Sequence, residues 1–182
     1  GLVFPEKAVS NAMRNLVLRE RQALDSEADK AFWKSQLNDA KLNRLPELLP
    51  NIAPDVSSVA AFSQVELRIP VQVSRTLQQV AQSLAVPLKS LLLAVHMRVL
   101  CLLHGEDSIT TGLTTSVRPE ELDGDQPLGL FLNTLPFSMA LRGGTWAQLI
   151  LHAFNMECEL LCARFYPLAG LQRLHNGVPL FE

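Results

Sequence analysis

Cysteine is scarce, and the few cysteines do not form a disulfide framework. The 182 residues contain three, Cys101, Cys158 and Cys162. An odd number without framework spacing is typical of a reduced, intracellular protein, so we expect a cytoplasmic location. Cys158 and Cys162 are four residues apart and would share a helical face, but no further ligands complete a zinc site at a familiar spacing. We therefore expect the cysteines to pack in the core and to bind no metal.

Neither sign of charge dominates the composition. Sixteen basic residues stand against eighteen acidic ones, for a formal net charge of -2. Clusters of Lys and Arg interleaved with aromatic residues, which would neutralise a phosphate backbone, are missing. The sequence argues against nucleic acid as a partner.

Long uninterrupted apolar runs are also missing. The most apolar stretch, residues 88–103, contains Lys89, His96 and Arg98, so it falls short of the ~20 apolar residues of a membrane helix. The first six residues have no basic region leading into an apolar segment, so a secretory signal is not supported. We expect a core helix at 88–104 and no membrane partner.

Familiar catalytic motifs are missing as well. The sequence has no Gly-x-Ser-x-Gly elbow, Walker A loop, Gly-x-Gly-x-x-Gly turn or His-Glu-x-x-His helix. The four histidines stand apart from one another. His96 and His152 lie within helical patterns and are expected on a helix surface or hydrogen-bonded in the core, and His104 before Gly105 is expected to cap a helix.

Hydrophobic periodicity predicts alternating helices and strands. Ser26 followed by Asp29 signals the start of a helix, and Thr145 after Gly143-Gly144 signals another. The predicted helices cover about 9–24, 27–37, 77–84, 88–104, 146–161 and 168–174; the predicted strands cover 65–69, 108–117 and 130–141, the last broken or bulged by Pro136; residues 43–62 are predicted to be an extended connector.

This order predicts one α/β domain, a two-layer arrangement of few strands with helices packed on the sheet. At 48% apolar residues, the chain suffices for one substantial core. Gly112 in the first of the two later strands suggests a close approach by another backbone. The abrupt ends of the chain suggest a truncated piece of a longer polypeptide.

Several blocks of the sequence resemble the condensation domains of nonribosomal peptide synthetases. They are Thr110-Thr111-Gly112-Leu113-Thr114-Thr115-Ser116-Val117-Arg118-Pro119, Gly129-Leu130-Phe131-Leu132-Asn133-Thr134-Leu135-Pro136, the helix pair around Arg19 to Trp33, the helix from Val86-Pro87, and the blocks Tyr166-Pro167-Leu168-Ala169 and Val178-Pro179-Leu180-Phe181-Glu182. One departure is Val117, where the family usually has glycine, so the local backbone geometry is in question.

The resemblance implies one lobe of a chloramphenicol-acetyltransferase-like fold, the C-terminal lobe, over residues 1–182. Such domains join carrier-bound phosphopantetheine thioesters through an amide bond, using a His-His-x-x-x-Asp-Gly signature in the N-terminal lobe. These 182 residues contain no such signature. Asp123-Gly124 echoes its end, but no histidine precedes it and the surrounding acidic residues indicate a solvated loop.

The partners that the resemblance implies are peptidyl and aminoacyl carrier proteins with their phosphopantetheine arms, the missing N-terminal lobe and an adjacent adenylation domain. No cofactor is expected to bind this chain directly, and no catalytic residue is assigned. Asn133 and Arg118 are the substrate-tunnel candidates. From the residues alone, Asn133 would either pin a neighbouring loop or face a polar tunnel, and Arg118 would form a surface ion pair with Glu120 or Glu121.

Three functions remain open from the sequence. The chain is the lobe of an amide-forming enzyme that is inactive alone, or a naturally truncated, non-catalytic remnant that serves as a scaffold or docking module, or a free-standing acyltransferase of the same superfamily. The sequence does not identify the amino acids joined, their stereochemistry or the product.

Overall fold

A computed structural model describes residues 11–38, 64–120, 127–141 and 143–181. Within these ranges the elements are α1 (Ala12–Asp25), α2 (Glu27–Asn38), α3 (Val71–Ser83), α4 (Leu88–His104), β1 (Ser108–Ser116), β2 (Leu132–Ala140), α5 (Trp146–Cys162) and α6 (Leu168–Leu174). The predicted connector at 43–62 and the Asp123-Gly124 loop lie outside the described residues.

β1 and β2 form an antiparallel pair that begins with Ser108 opposite Ala140 and ends with Ser116 opposite Leu132. The pairing runs through Pro136, which lies opposite Gly112, so the predicted break at this proline is wrong. Because β2 has one described neighbour, it is an edge strand of the described sheet, where a proline is tolerated.

The close approach at Gly112 comes from an aromatic ring and not, as predicted, from a backbone. A Cβ placed on Gly112 would lie 2.8 Å from Cε2 of Phe181, closer than real contacts allow. Leu180 beside it is buried. The 178–181 segment therefore packs on the sheet at the position where the strand has no side chain.

The main core lies between the sheet and the helices α4, α5 and α6, each of which contacts a strand. Trp33 of α2 joins this core, and its indole Nε1 donates a hydrogen bond to the Ala163 carbonyl at 3.3 Å. The largest fully buried side chains include Trp33, Leu91, Met97, Ile109, Leu135, Phe137, Met139, Leu160 and Leu171.

α4 is buried on one side only, although its composition predicts burial on nearly every side. Leu91, Ala94 and Met97 are buried. Leu92 and Leu102 are 46% and 66% exposed, because no described element covers that side. No single described helix is long and apolar enough to cross a membrane; α3 and α4 pass that test of length and composition only as a pair bent by 106°.

The signals that begin and end helices behave as predicted. The Asp29 amide donates to Ser26 Oγ at 3.1 Å at the start of α2, and Thr145 forms a capping box with Gln148 at the start of α5. α4 ends at Gly105, whose φ of 68° is the left-handed conformation that glycine adopts freely.

The predicted strand at residues 65–69 is absent from the structure. Residues 64–70 have no regular structure, and Val65 and Leu67 are 90% and 86% exposed. The alternating pattern is present, but no described strand pairs with it. A strand without a partner leaves its backbone groups unpaired, so the pattern alone does not produce a sheet.

Candidate functional site

Arg118, the first candidate, lies just after the end of β1. Its Nη1 donates a hydrogen bond to the Pro127 carbonyl at 2.8 Å, and its guanidinium lies 4.4 Å from the centroid of the Phe131 ring. The neighbouring Val117 is buried, and its amide donates to the Phe131 carbonyl at 3.0 Å. Arg118 thus holds the loop that leads into β2 against the end of β1.

The Val117 backbone is not strained. Ala85 and Asn176 are the two non-glycine residues with positive φ in the described part of the chain, and Val117 is not among them. Valine therefore fits at this position, where the family that the sequence resembles usually has glycine.

Asn133, the second candidate, is the second residue of β2 and lies opposite Thr115. Its Nδ2 donates to the Arg164 carbonyl at 2.9 Å and to the Tyr166 carbonyl at 2.8 Å. Its Oδ1 accepts the Thr134 amide at 3.0 Å. Both amide hydrogens are used, so the geometry matches the first of the two expected roles, in which the side chain pins a neighbouring loop.

The pinned turn carries further charged contacts. Arg164 donates to the Leu161 carbonyl at 3.0 Å and pairs with Glu120. The Arg164 and Arg19 guanidinium groups lie 4.8 Å and 5.1 Å from the centroid of the Phe165 ring. The two candidates and this turn meet at one end of the sheet. We refer to this group of residues as the strand-end cluster: Arg118, Glu120, Phe131, Asn133, Arg164 and Phe165.

The chemistry of the strand-end cluster is positional. A guanidinium stays charged at any physiological pH, and an amide does not titrate, so neither candidate supplies an acid or a base. The surrounding hydrogen bonds fix two loops relative to the strands. The cluster can shape a wall and present fixed donors, but its candidate residues do not transfer protons.

An open cleft of about 780 Å³ lies at the other end of the sheet. His152 lines it, but this side chain is exposed and has no hydrogen-bonding partner among the described residues. The cleft is lined by Ser35, Gln36, Ser108, Ser138, Ala140, Gly143, Gly144, Thr145, Gln148, Leu149, His152, Asn155, Met156 and Glu159.

Two further histidines and one cysteine lie where the sequence predicts, and the other two cysteines do not. His96 is exposed on α4, and His104 Nδ1 makes a 2.8 Å hydrogen bond with the Leu100 carbonyl, as expected for the end of a helix. Cys101 is buried, and burial raises the pKa of its thiol. Cys158 and Cys162 are exposed, so the prediction that they pack in the core is wrong. The reason is that α5 has a wet face on that side, which its apolar composition conceals.

One buried carboxylate is not predicted from the sequence. Glu157 of α5 is 3% exposed; its Oε2 accepts a hydrogen bond from Ser90 Oγ at 2.7 Å, and its Oε1 contacts the Lys89 ammonium. Both partners lie in the first turn of α4. A glutamate on the apolar side of a helix is the signal that could have revealed it, since such a group is buried only when paired.

Comparison with known proteins gives a consistent result. The family model described as Condensation domain matches residues 11–176. The AMB antimetabolite synthetase AmbE of Pseudomonas aeruginosa is 33% identical over 99% of this chain, which spans 8% of that protein. The malpinin synthetase of Mortierella alpina is 26% identical over 93% of this chain, which spans 2% of that protein.

Solved structures show the same fold. The condensation domain from the monacolin K polyketide synthase MokA superposes with a TM-score of 0.70 at 20% identity, over 91% of this chain and 40% of that one. The first condensation domain of the calcium-dependent antibiotic synthetase, in complex with substrate analogue 3a, superposes with a TM-score of 0.72 at 18% identity, over 97% of this chain and 39% of that one. This chain spans about two fifths of each.

Helices packed on an antiparallel sheet, with these structural neighbours, define the fold class as α/β of the chloramphenicol-acetyltransferase-like type. Because the family match covers most of its length, the chain belongs to the condensation domain family.

Proposed function

We propose that residues 1–182 are the C-terminal lobe of a nonribosomal peptide synthetase condensation domain. In this role the lobe helps to form an amide bond between aminoacyl or peptidyl groups held as phosphopantetheine thioesters on carrier proteins. The family match over residues 11–176 carries the proposal. The likeness to AmbE and to the malpinin synthetase, two much longer proteins, supports carrier and adenylation domains as partners.

The chain supplies structure, and the proton-handling histidine comes from another segment. The 182 residues contain no His-His-x-x-x-Asp-Gly signature, and the strand-end cluster offers fixed donors rather than an acid or base. Asn133 and Arg118 act as part of the substrate-tunnel wall by holding the 164–166 turn and the 127–131 loop in place.

The central test compares amide formation by the full-length protein with that by the 182-residue chain. Both receive a donor and an acceptor carrier loaded with aminoacyl thioesters, and the condensed product is measured by mass spectrometry. We expect turnover by the full-length protein and none above background by the chain alone. Turnover by the chain alone would contradict the proposal, and no turnover by the full-length protein with any loaded pair would favour a non-catalytic docking module.

A second arm tests the wall residues in the full-length protein. Arg118→Gln removes the charge and its stacking on Phe131, and we expect amide formation to fall about tenfold while the protein remains folded. Arg98→Gln, at an exposed position of α4, is the matched control and should leave the rate unchanged. Equal rates in the two variants would remove Arg118 from the tunnel wall.

A further inference from the structure

Two thiols lie one turn apart on the exposed side of α5. Cys158 and Cys162 are both exposed, and Cys162 is the last residue of the helix. Residues four apart on a helix lie one above the other on the same face. The Cys162 thiol donates a weak hydrogen bond to the Cys158 carbonyl at 3.5 Å, so its sulfur is directed back toward Cys158. The two side chains therefore share one solvent-facing side of the helix.

Exposure distinguishes this pair from the third cysteine. Cys101 is 4% exposed on α4, which is the position that a free cysteine usually takes in a folded protein. A buried thiol of this kind is inert. An exposed thiol that lies beside a second one can be oxidised and then resolved as a disulfide. The α5 pair therefore has the access and the neighbour that oxidation requires, and Cys101 lacks the access.

An open depression of about 280 Å³, lined by residues of α1, α2 and the end of α5, lies beside Cys162. It gives a small reagent room to reach the sulfur. Arg19 of α1 and Asp29 of α2 line it, so it presents both a guanidinium and a carboxylate. A reagent with charges of both signs finds a complementary group for each of them there. The depression therefore suits a zwitterionic, peptide-like disulfide better than an apolar oxidant.

A disulfide between these two residues requires the end of α5 to change shape. Cβ atoms four residues apart on a helix are separated by about 5–6 Å. A disulfide brings its two Cβ atoms to about 3.5–4.5 Å. The helix already tightens at this end, because the amides of Ala163 and Arg164 donate to carbonyls three residues back, at 3.1 and 3.4 Å. Oxidation pulls Cys162 toward Cys158 and so changes the backbone directly before Ala163.

The backbone that follows Cys162 is the 163–166 turn, which distant side chains hold by its carbonyls. Trp33 Nε1 donates to one of these carbonyls at 3.3 Å. Asn133 Nδ2 donates to two others at 2.9 and 2.8 Å. Because the turn begins directly after Cys162, a change in the last helical turn shifts these acceptors relative to their donors. The oxidation state of the two thiols is thus coupled to the strand-end cluster.

We propose that Cys158 and Cys162 form a thiol–disulfide switch that moves the 163–166 turn. One cysteine, as the thiolate, attacks a sulfur of a zwitterionic low-molecular-weight disulfide and expels half of that reagent as a thiol. The second cysteine attacks the mixed disulfide and expels the other half. The two cysteines lose two protons and two electrons, and the reagent gains both. Strain makes the new disulfide easy to reduce, so an excess of a small thiol restores the helix.

Differential alkylation of the full-length protein tests the pairing. We expect iodoacetamide to label Cys158 and Cys162 in the folded, reduced protein. After incubation with glutathione disulfide, we expect mass spectrometry to find a disulfide between the two cysteines in most of the molecules. Thiols that resist labelling, or glutathione adducts without that disulfide, would overturn the proposal. The readout does not depend on amide formation, so it decides this inference separately from the proposed function.

Hydrogen exchange on the full-length protein shows whether oxidation reaches the turn. We expect the amides of residues 163–166 to exchange at least about tenfold faster after oxidation, and dithiothreitol to reverse the change. Cys158→Ser leaves one thiol of the pair and should remove this response. Glu159→Ser places the same residue at the adjacent exposed position, keeps both thiols and should retain the response. An unchanged exchange rate in the oxidised protein, or an equal response of the two variants, rules out the switch.

Discussion

At the scale of single residues, Asn133 connects β2 to the 164–166 turn. It satisfies two carbonyls of that turn and accepts an amide from its own strand. We expect Asn133→Ala to lower the free energy of unfolding by about 2–3 kcal/mol, because half-buried carbonyls lose their donors. Urea denaturation measures the loss. Asn155→Ala, exposed on α5, is the control, and an equal effect of the two would contradict the pinning role.

Tyr166 gives a second prediction, on pH. Burial raises the pKa of its hydroxyl above the ordinary value of 10.0. Because the pKa is higher in the folded state than in the unfolded state, the associated stability is full below about pH 10 and is lost as the pH rises through the folded pKa. Tyr166 is the chain's one tyrosine, so tyrosinate absorbance near 295 nm reports it alone.

The expected titration midpoint lies above that of the same protein in denaturant. A folded-state midpoint at or below the denatured one would contradict burial of the hydroxyl. Tyr166→Phe should remove the absorbance change and shift the onset of alkaline unfolding to higher pH.

At the scale of elements, Glu157 joins α4 to α5 through Ser90 and Lys89. We expect Glu157→Gln to destabilise the protein by about 1–2 kcal/mol, because the buried charge pair is lost while one hydrogen bond can remain. Thermal or urea unfolding measures it. Glu159→Gln, two residues away and exposed, should stay within about 0.5 kcal/mol. If both variants behave alike, the contact does not hold the two helices together.

The elements also show what sequence periodicity predicts and what it does not. The strands at 108–117 and 130–141 and the helices other than α3 follow from local spacing, caps and glycine signals, which act within a few residues. The prediction of 77–84 for α3 misses its start, because the helix begins at Val71 directly after Pro70. The pattern at 65–69 marks a chain with two different faces, but pairing depends on a distant segment, which local spacing does not contain. The predictions that the α5 cysteines are buried and that α4 is covered on nearly every side are wrong for the same reason, because composition does not reveal which face of a helix a neighbour covers.

For the candidate site, too, the sequence identifies the residues but not their partners. The resemblance singles out Asn133 and Arg118, and the structure places both at one end of the sheet. The carbonyl partner of Arg118, on Pro127, is nine residues away, and those of Asn133, on Arg164 and Tyr166, are 31 and 33 residues away. A backbone carbonyl carries no sequence signal. Their part in a substrate tunnel stays a prediction.

At the scale of the whole molecule, the uncovered side of α4 predicts self-association of the 182-residue chain. Leu92, Val99 and Leu102 are each at least 46% exposed on this helix. Apolar surface of this kind marks an interaction site or an aggregation hazard. We expect light scattering to show a mass that rises with concentration and falls in Leu102→Glu. Arg98→Glu is the control on the same helix; a mass independent of concentration in the unmodified chain would contradict the prediction.

The ring of Phe181 over Gly112 has a consequence for the order of events during synthesis. The ribosome delivers the strand almost seventy residues before the ring that lies on it. Until translation has passed this aromatic residue, that stretch of the sheet is bare, because the ring that packs against Gly112 has not yet been made.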